Sequence, residues 1–449
     1  MIHQNVTKFS PGRILLFSFL FVITIGAILL ALPQSQTTHI SLFNVIFTSV
    51  STTCVTGLKV VPMSSFTFFG KCIILCLIQI GGLGLMTLSF FLISLFLNLG
   101  MATQIVAGQL LEFNLWSKTK NFLFLIIGIT FTIESIGAIC LYFPFRATMK
   151  PTSALFSAFF HSVSAFCNAG ISLSDKGLTD YHGALFPLGI LAFLVFSGSL
   201  GFLVWSELLV KLKLHIRSLW KQPELIKFSL HTKLVLTTSA ILIMVGGIIT
   251  WLIEYHHSLK KFSLTKGIFI SFFHTISLRS AGFHMMNLKH ASSATLLLFM
   301  ILMFIGASPS STGSGIKTTT FALSIATIGS IIKNRTAVEI FGRTIPYDQV
   351  YKAITIIALG IIWLISLTFF LLLTEKNLTF FQIFFESVSA FSTCGLSRNV
   401  TPQLSTIGKI LIMITMIVGR IGSLTLVLGL RRKSEKILYN YPEERIALG

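Results

Sequence analysis

The sequence predicts an all-α polytopic membrane protein built from four related repeats, and three observations predict it. Apolar residues make up 53% of the 449 residues, and charged residues only 11%. A soluble globule carries about 25% charged residues, so a soluble enzyme, a nucleic-acid-binding protein and a secreted disulfide scaffold are excluded. Eight apolar stretches are long enough to cross a bilayer, and four glycine-ended strips recur at a nearly constant interval.

The spanning segments are predicted from length, because a membrane helix needs about 20 apolar residues. Eight stretches reach it, near 13–32, 71–98, 121–143, 185–210, 232–255, 295–332, 353–374 and 405–430. The apolar part of the first stretch is too long for a secretory signal peptide, and seven further stretches follow it. We therefore predict eight spanning helices, the first of which is not cleaved.

Basic residues are distributed unevenly between two sets of loops. One set, with the termini, is 1–13, 99–120, 211–233, 333–352 and 431–449, and it holds 19 Lys and Arg in 97 residues. The other set, 33–66, 143–184, 256–294 and 375–404, holds 11 in 145 residues. The positive-inside rule explains most of the net charge of +20 without a nucleic-acid partner. We predict a multi-pass protein of the cell membrane (a bacterial inner or plasma membrane), in contact with lipid. The charge of the loops predicts that both termini are cytoplasmic.

Each loop of the second set contains an apolar stretch too short to span, which is typical of a re-entrant helix. The four stretches are 41–51, 154–166, 267–277 and 380–391. Each runs into a small-residue strip: SVSTTCVTGL, SVSAFCNAGI, TISLRSAGF and SVSAFSTCGL. The strip glycines Gly57, Gly170, Gly282 and Gly395 are 113, 112 and 113 residues apart.

A second glycine recurs in register with the first. Gly81, Gly198, Gly306 and Gly419 follow their strip glycines by 24, 28, 24 and 24 residues. The repeating unit is therefore a span, a re-entrant helix with its strip, and a second span. The predicted repeats are 1–120, 121–231, 232–352 and 353–430, followed by a cytoplasmic tail, 431–449. Arranged with pseudo-fourfold symmetry, four such units would enclose one central pore.

The strips have the composition of a cation filter. A cation crossing lipid must exchange its hydration shell for protein oxygens, and rings of backbone carbonyls can supply them. Glycine permits the positive-φ conformations that this backbone needs. The candidate filter residues are Thr53, Cys54, Val55, Thr56, Gly57, Cys167, Asn168, Ala169, Gly170, Arg279, Ser280, Ala281, Gly282, Ser392, Thr393, Cys394 and Gly395. Because Arg279 would repel a cation on the axis, we expect its side chain to lie behind the strip as a backbone donor.

The third unit interrupts its second span with the polar segment 306–320. Non-helical backbone at this depth is tolerated only where it is buried in protein or lines water, so we predict a gate; the alternative is a plain kink. The candidate gate residues are Gly306, Ala307, Ser308, Pro309, Ser310, Ser311, Thr312, Gly313, Ser314, Gly315, Lys317 and Arg420. Lys317 either faces the cytoplasmic vestibule or extends to the interface. Arg420 lies mid-span, where a charge is usually functional; a structural ion pair is the alternative.

These strips, with the runs IQIGGLGLMT (78–87), GASPSSTGSGIKTTT (306–320) and VGRIGSLT (418–425), resemble the superfamily of Trk, Ktr and plant HKT potassium transporters. A chain with eight spans, one of which precedes the first strip, looks most like the Ktr membrane subunit of the KtrB type. The resemblance implies a potassium-selective filter at the four glycines, with Gly57 the form associated with potassium preference. It also implies that the segment 306–320 gates the pore beneath the filter, and that Arg420 adds a positive barrier.

The resemblance further implies partners for the chain. Family members form homodimers on a cytoplasmic ring of nucleotide-binding regulatory subunits, and Ktr uptake is often stimulated by Na+. The permeant ion would be K+, no cofactor is expected in this chain, and nucleotide would bind only to the regulatory partner.

Two other functions remain open from the residues. The first is a symporter that couples K+ to Na+ or H+, because discontinuous helices also mark secondary transporters and Glu134 could carry a proton. The second is a membrane enzyme or receptor, which would need clustered His, Cys or acidic residues; none is evident, so we do not expect an enzyme. The six cysteines contain no CxxC pair and indicate free thiols rather than disulfides or a metal site.

Overall fold

A computed structural model describes residues 11–83, 119–175, 177–178, 185–218, 227–286, 288, 291–422, 442 and 444. Fourteen α-helices and one two-stranded sheet form within them. The predicted span ends 84–98 and 423–430, the loop 99–118, the segment 219–226 and most of the tail 431–449 lie outside the described residues.

The helices follow the order that the apolar pattern predicts. They are α1 (Pro11–Ala31), α2 (Leu42–Thr53), α3 (Phe68–Gly82), α4 (Thr119–Arg146), α5 (Pro151–Phe166), α6 (Leu185–Ser199), α7 (Phe202–Ser218), α8 (Leu230–Glu254), α9 (Leu264–Leu278), α10 (Ser293–Phe304), α11 (Thr318–Ile332), α12 (Tyr347–Thr374), α13 (Phe380–Phe391) and α14 (Thr406–Ile421). The chain is therefore mostly helical, as predicted.

Among the described residues, three helices are long and apolar enough to cross a membrane: α4, α8 and α12. A fourth candidate is the pair α6 and α7, which meet at 102° across a short break. Seven further apolar helices are shorter. The eight predicted spans therefore stay a prediction.

Four short helices, α2, α5, α9 and α13, coincide with the four apolar stretches in the outer loops. Each packs between the helix that precedes it and the helix that follows it. In addition, α3 packs against α5, α6 against α9, α10 against α13, and α14 against α2. The short helices are thus linked in cyclic order, with the last helix returning to the first set. This packing brings the four strips together.

Two glutamates fasten the ends of long helices to the starts of later ones. Glu254 at the end of α8 accepts hydrogen bonds from Ser292 N (3.0 Å) and Thr295 Oγ1 (2.6 Å) at the start of α10. Glu375 after α12 accepts from Ser405 Oγ (2.5 Å) at the start of α14. Both contacts satisfy amide and hydroxyl donors at a helix N-terminus, where a negative charge is stabilising.

A hairpin in the segment 333–352 departs from the all-α prediction. Strands β1 (Val338–Ile340) and β2 (Arg343–Ile345) pair antiparallel, with Val338 opposite Ile345. Phe341 and Gly342 between them both have positive φ, at 50° and 72°, which is the conformation of a tight two-residue hairpin turn. These strands were not predicted, because a strand of three residues is too short to show an alternating apolar pattern.

Candidate functional site

The four strips share one backbone pattern. Each contains a left-handed residue two positions before its glycine: Val55 (φ 55°), Asn168 (60°), Ser280 (116°) and Thr393 (46°). The glycines are left-handed as well: Gly57 (85°), Gly170 (61°), Gly282 (70°) and Gly395 (86°). Left-handed and ordinary residues therefore alternate at the end of each strip. This conformation costs glycine little and other residues more.

The strip glycines lie against one another's strips in a closed order. A β-carbon on Gly57 would stand 2.3 Å from the carbonyl oxygen of Ala169, and one on Gly170 would stand 1.8 Å from that of Ala281. A β-carbon on Gly282 would stand 1.8 Å from Cys394 O, and one on Gly395 would stand 2.0 Å from Thr56 O. Each glycine therefore faces the carbonyl that precedes the next glycine, and the fourth strip returns to the first.

Serines behind the strips hold three of them in place. Ser51 Oγ donates to Leu58 O (2.8 Å), Ser164 Oγ to Ile171 O (2.7 Å), and Ser277 Oγ to Phe283 O (2.7 Å). In each case the acceptor directly follows the strip glycine. These serines were not among the predicted site residues, although their identical position in the repeated strips is a signal that could have identified them.

The candidate cysteines are buried behind the backbone. Cys54, Cys167 and Cys394 are fully buried free thiols. The Cys394 thiol donates to Leu278 O (3.3 Å) at the end of α9, and the Cys167 thiol donates to Glu134 Oε1 (3.6 Å) on α4. Cysteine here serves as a small apolar residue with a weak donor.

Arg279 is predicted to lie behind its strip, and the structure buries it. It is 1% exposed, so it lies inside the protein as expected. However, its Nε and Nη2 atoms make no hydrogen bond within the described residues, so these two atoms are not the backbone donors that the sequence analysis expected.

All four strip glycines line one cavity of about 290 Å³. The residues that follow the strips also contribute to it, among them Lys59, Ser172, Asp175 and His284. Lys59 Nζ donates to Ser172 O (3.2 Å). Burial lowers the pKa of Lys59 to about 8, and the carboxylate of Asp175 opposes that shift. Burial also lowers the pKa of His284, with the charge of Lys59 adding to the effect.

The predicted gate segment is an irregular loop between α10 and α11. It is shorter than predicted, because α11 begins at Thr318 and takes up 318–320. Gly306 N donates to Ile316 O (2.9 Å) and Ala307 N to Ser314 O (3.1 Å), so the loop folds back on itself. Lys317 Nζ donates to Gly313 O (2.8 Å). Backbone groups of this segment thus bond to one another in place of helical hydrogen bonds.

Thr312 joins this loop to the second strip. Its hydroxyl accepts from Asn168 Nδ2 (2.7 Å) and lies within donor distance of Phe166 O (2.9 Å) and Gly198 O (3.0 Å). Its backbone N donates to Gly198 O as well (3.1 Å). Thr312 is fully buried at 1% exposure. The loop is therefore attached both to a strip and to the break between α6 and α7.

Further contacts attach the loop on its other sides. Ser314 N donates to Ser280 Oγ (2.9 Å) in the third strip, and Phe202 N donates to Ser310 O (2.8 Å). Arg420 on α14 donates from Nη1 to Thr312 O (2.5 Å) and to Ser314 Oγ (3.1 Å), and from Nη2 to Gly81 O. Within the described part of the chain, only Arg335–Glu339 and Lys352–Asp348 form ion pairs. The alternative of an ion pair for Arg420 is therefore not seen there.

Three glycines of the second repeated set pack against the ends of the short helices; the fourth, Gly306, lies against Ser314 O of its own loop. A β-carbon on Gly81 would stand 2.1 Å from Thr53 O, one on Gly198 1.9 Å from Phe166 O, and one on Gly419 1.9 Å from Phe391 O. Each of these three carbonyls belongs to the residue four positions before a strip glycine. These glycines thus permit close contact between a helix and its own strip. No group of three or more metal-binding side chains occurs among the described residues.

Comparisons with known proteins agree with the sequence resemblance. The family model described as TrkH, cation transport protein, matches residues 12–438. Ktr system potassium uptake protein B of Vibrio alginolyticus is 36% identical, with 99% of this chain and 96% of that protein covered. The protein of the same name from Bacillus subtilis is 33% identical over 98% and 97%. Potassium/sodium uptake protein NtpJ of Enterococcus hirae is 32% identical over 98% of each.

A solved structure shares the fold. The potassium transporter TrkH from Vibrio parahaemolyticus superposes with a TM-score of 0.72 at 18% identity, covering 96% of this chain and 86% of that one. The family model spans nearly the whole chain, and relatives above 30% identity match it end to end. The chain therefore belongs to the TrkH family of cation transport proteins.

Proposed function

We propose that the chain is the ion-translocating subunit of a potassium uptake system. K+ would lose its hydration shell to backbone carbonyls of the four strips and pass through the ring that their glycines form. The observation that carries the proposal is the closed order of contacts, in which each strip glycine faces a carbonyl of the next strip. The relatives that share the whole chain are named for potassium uptake.

The loop between α10 and α11, with Arg420, would gate this path. It is held against strips two and three by Thr312 and Ser314, so a change in the loop reaches the strips directly. The guanidinium of Arg420 would place a positive charge beside that loop, which opposes cation passage. Opening would then require Arg420 to release Thr312 O and Ser314 Oγ.

The architecture that we propose has eight spans in four membrane–pore-loop–membrane repeats, 1–120, 121–231, 232–352 and 353–430. The exposed outer faces of the long helices carry large apolar side chains, such as Phe124, Ile365 and Phe369, which suit membrane lipid. Both termini would be cytoplasmic in the cell membrane. We further propose a homodimer on a nucleotide-binding regulatory ring, with nucleotide on that partner only and uptake stimulated by Na+.

The test is rubidium-tracer uptake by liposomes that contain the purified chain, with K+ or Na+ as competitor. The same measurement includes Gly57→Ser, with Gly128→Ser as the matched control. A β-carbon on Gly57 would meet the carbonyl of Ala169, whereas nothing lies within 4 Å of one on Gly128. We expect strong competition by K+, weak competition by Na+, and loss of that difference in Gly57→Ser alone.

Two outcomes would contradict the proposal. Equal competition by Na+ and K+ in the wild-type chain would remove the assignment of the strips as a potassium filter. Unchanged selectivity in Gly57→Ser would show that the ring glycine does not shape the ion path. If no flux occurs, repeating the measurement in Arg420→Gln distinguishes a closed gate from the absence of a path.

A coupled symporter is the second candidate, and Glu134 favours it. Glu134 is 1% exposed on α4, its Oε1 accepts from the thiol of Cys167 in strip two, and its Oε2 has no partner among the described residues. The Enterococcus hirae relative is named for potassium and sodium uptake. Coupling predicts that uptake collapses in Glu134→Gln or without Na+; uptake that persists in both would exclude it.

A further inference from the structure

The cavity lined by the four strip glycines also contains a lysine. Lys59 lies two residues after Gly57 and lines the same cavity as all four strip glycines. Its Nζ donates to Ser172 O at 3.2 Å, and Ser172 lies two residues after Gly170. The ammonium is therefore anchored across the gap between the first and second strips, on the side of the cavity.

Among the described residues, no contact ion pair cancels the charge of this lysine. Neither ion pair among the described residues includes Lys59. Among the described residues that line the cavity, the acidic side chain is Asp175. Its two oxygens accept hydrogen bonds from Met63 N (2.8 Å) and Ser64 Oγ (2.7 Å). Asp175 thus influences Lys59 only through space. His284 also lines the cavity, but a histidine carries no negative charge that could compensate the ammonium of Lys59.

A cation in a confined cavity lowers the local concentration of other cations, because low-dielectric walls focus its field. The repulsion is largest close to the charge and is screened by salt. A fixed ammonium beside the outermost carbonyls would therefore act before the filter selects between ions. It would set how much external K+ is needed to fill the ring.

We propose that Lys59 is a determinant of potassium affinity, a tethered positive charge at the outer mouth that opposes occupation of the first ion position. This inference rests on the proposed function of the strips. It assigns Lys59 a role distinct from that of the glycines: the glycines shape the site, and Lys59 sets its apparent affinity. The anchoring hydrogen bond to Ser172 O keeps the charge at a constant place.

The experiment measures K+ binding to the purified full chain by isothermal titration calorimetry, so that its result does not depend on an open gate. Lys59→Gln removes the charge but keeps an N–H donor for Ser172 O, and Lys59→Arg keeps the charge. Lys71→Met is the matched control, because it removes a lysine of the same repeat that does not line the cavity. We expect Lys59→Gln to lower the half-saturating K+ concentration several-fold, with Lys59→Arg and Lys71→Met close to wild type.

Ionic strength provides the second readout. The effect of Lys59→Gln should be large at about 0.01 M choline chloride, where the Debye length is ~30 Å, and small near 1 M, where it is ~3 Å. A purely structural role for Lys59 would not produce this dependence. Equal K+ binding by wild type and Lys59→Gln at low salt would overturn the inference.

A third measurement keeps the test decisive if Lys59→Gln fails to fold. Lys59→Cys is purified once and treated with thiosulfonate reagents that attach either a trimethylammonium or a sulfonate group, with the wild-type chain treated in parallel. K+ binding should be weaker with the positive group than with the negative one. No difference between the two groups would refute the role of charge. If the wild-type chain binds no K+ at all, the proposed function fails instead.

Discussion

Arg420 Nη1 donates a hydrogen bond of 2.5 Å to the carbonyl oxygen of Thr312, 108 positions earlier in the chain. Its Nη2 donates to Gly81 O at the end of α3. One guanidinium therefore connects α3, the loop between α10 and α11, and α14. A planar fork with several donors is suited to such a bridge, whereas the ammonium of lysine is not.

Replacing Arg420 should release the loop. A hydrogen bond to a charged group contributes about 1.5–3 kcal/mol, so losing one shifts a closed–open equilibrium by roughly tenfold or more. We expect Arg420→Gln to raise rubidium flux on that order. Arg420→Lys should raise it less, because it keeps the charge but loses the fork. Tracer uptake into liposomes measures both.

Arg343→Gln is the control for this pair, because Arg343 is exposed on the β-hairpin. Equal flux in Arg420→Lys and wild type would mean that charge alone forms the barrier. A flux in Arg420→Gln no higher than in wild type would refute both the barrier and the tether.

The hydroxyl of Thr312 is expected to hold the loop against the second strip. Thr312→Val keeps the shape of the side chain but leaves Asn168 Nδ2 without the hydroxyl that it contacts at 2.7 Å. A buried donor without a partner costs about 1–3 kcal/mol. We therefore expect faster hydrogen exchange in the segment 306–317 and a changed resting flux, measured by mass spectrometry and tracer uptake.

Thr312→Ser is the matched variant, because it retains the hydroxyl and loses one methyl group. It should exchange close to the wild-type rate. If Thr312→Val and Thr312→Ser exchange alike, the hydrogen bonds of the hydroxyl do not secure the loop.

The four ring glycines should differ in their tolerance of serine. A β-carbon on Gly57 would stand 2.3 Å from a neighbouring carbonyl oxygen, whereas those on Gly170 and Gly282 would stand at 1.8 Å. All three positions also have positive φ, which adds strain for any side chain. We expect Gly57→Ser to retain flux with altered selectivity, and Gly170→Ser and Gly282→Ser to lose most flux, as measured by tracer competition. Higher flux in Gly170→Ser than in Gly57→Ser would contradict this order.

Asp175 should stabilise the outer surface by joining the first and second repeats. Its carboxylate accepts from Met63 N and Ser64 Oγ, more than 100 positions away in the chain. Hydrogen bonds to a charged group contribute about 1.5–3 kcal/mol, so Asp175→Ala should lower the unfolding midpoint of the detergent-solubilised protein by several degrees. Thermal denaturation followed by tryptophan fluorescence measures this change.

Asp348→Ala is the control for Asp175. Asp348 pairs with Lys352 at 3.5 Å, and both side chains are about two-thirds exposed. Exposed pairs contribute about 0–1 kcal/mol, so this variant should unfold near the wild-type midpoint. Equal midpoints for the two variants would show that Asp175 does not tie the repeats together.

Local patterns in the sequence were informative wherever the physics is local. Apolar patterning predicted helices at each of the four short stretches, because runs rich in apolar residues that begin at Ser, Thr or Pro favour a helix. The composition predicted a membrane protein, and the strips with the segment 306–320 predicted the family, which the comparisons confirm. The polarity of that segment also predicted that the helix breaks there, although α11 starts three residues earlier than expected.

Other features of the site were not accessible to sequence reasoning. The hydrogen bonds of the serines to the strips depend on which atoms meet after packing. So does the bridge from Arg420 to Thr312 and Gly81. The close contacts of Gly81, Gly198 and Gly419 with carbonyls at helix ends also depend on how the helices pack.

The sequence by itself determined that the chain is a mostly helical membrane protein of the TrkH family and where its four glycine-ended strips lie. Only the tertiary structure decided that each strip glycine faces the carbonyl before the next glycine, and that Lys59 shares a cavity with all four. Equal spacing along a chain fixes the order of the strips but not their neighbours in space. Those neighbours follow from helices of different repeats, such as α3 and α5, packing side by side.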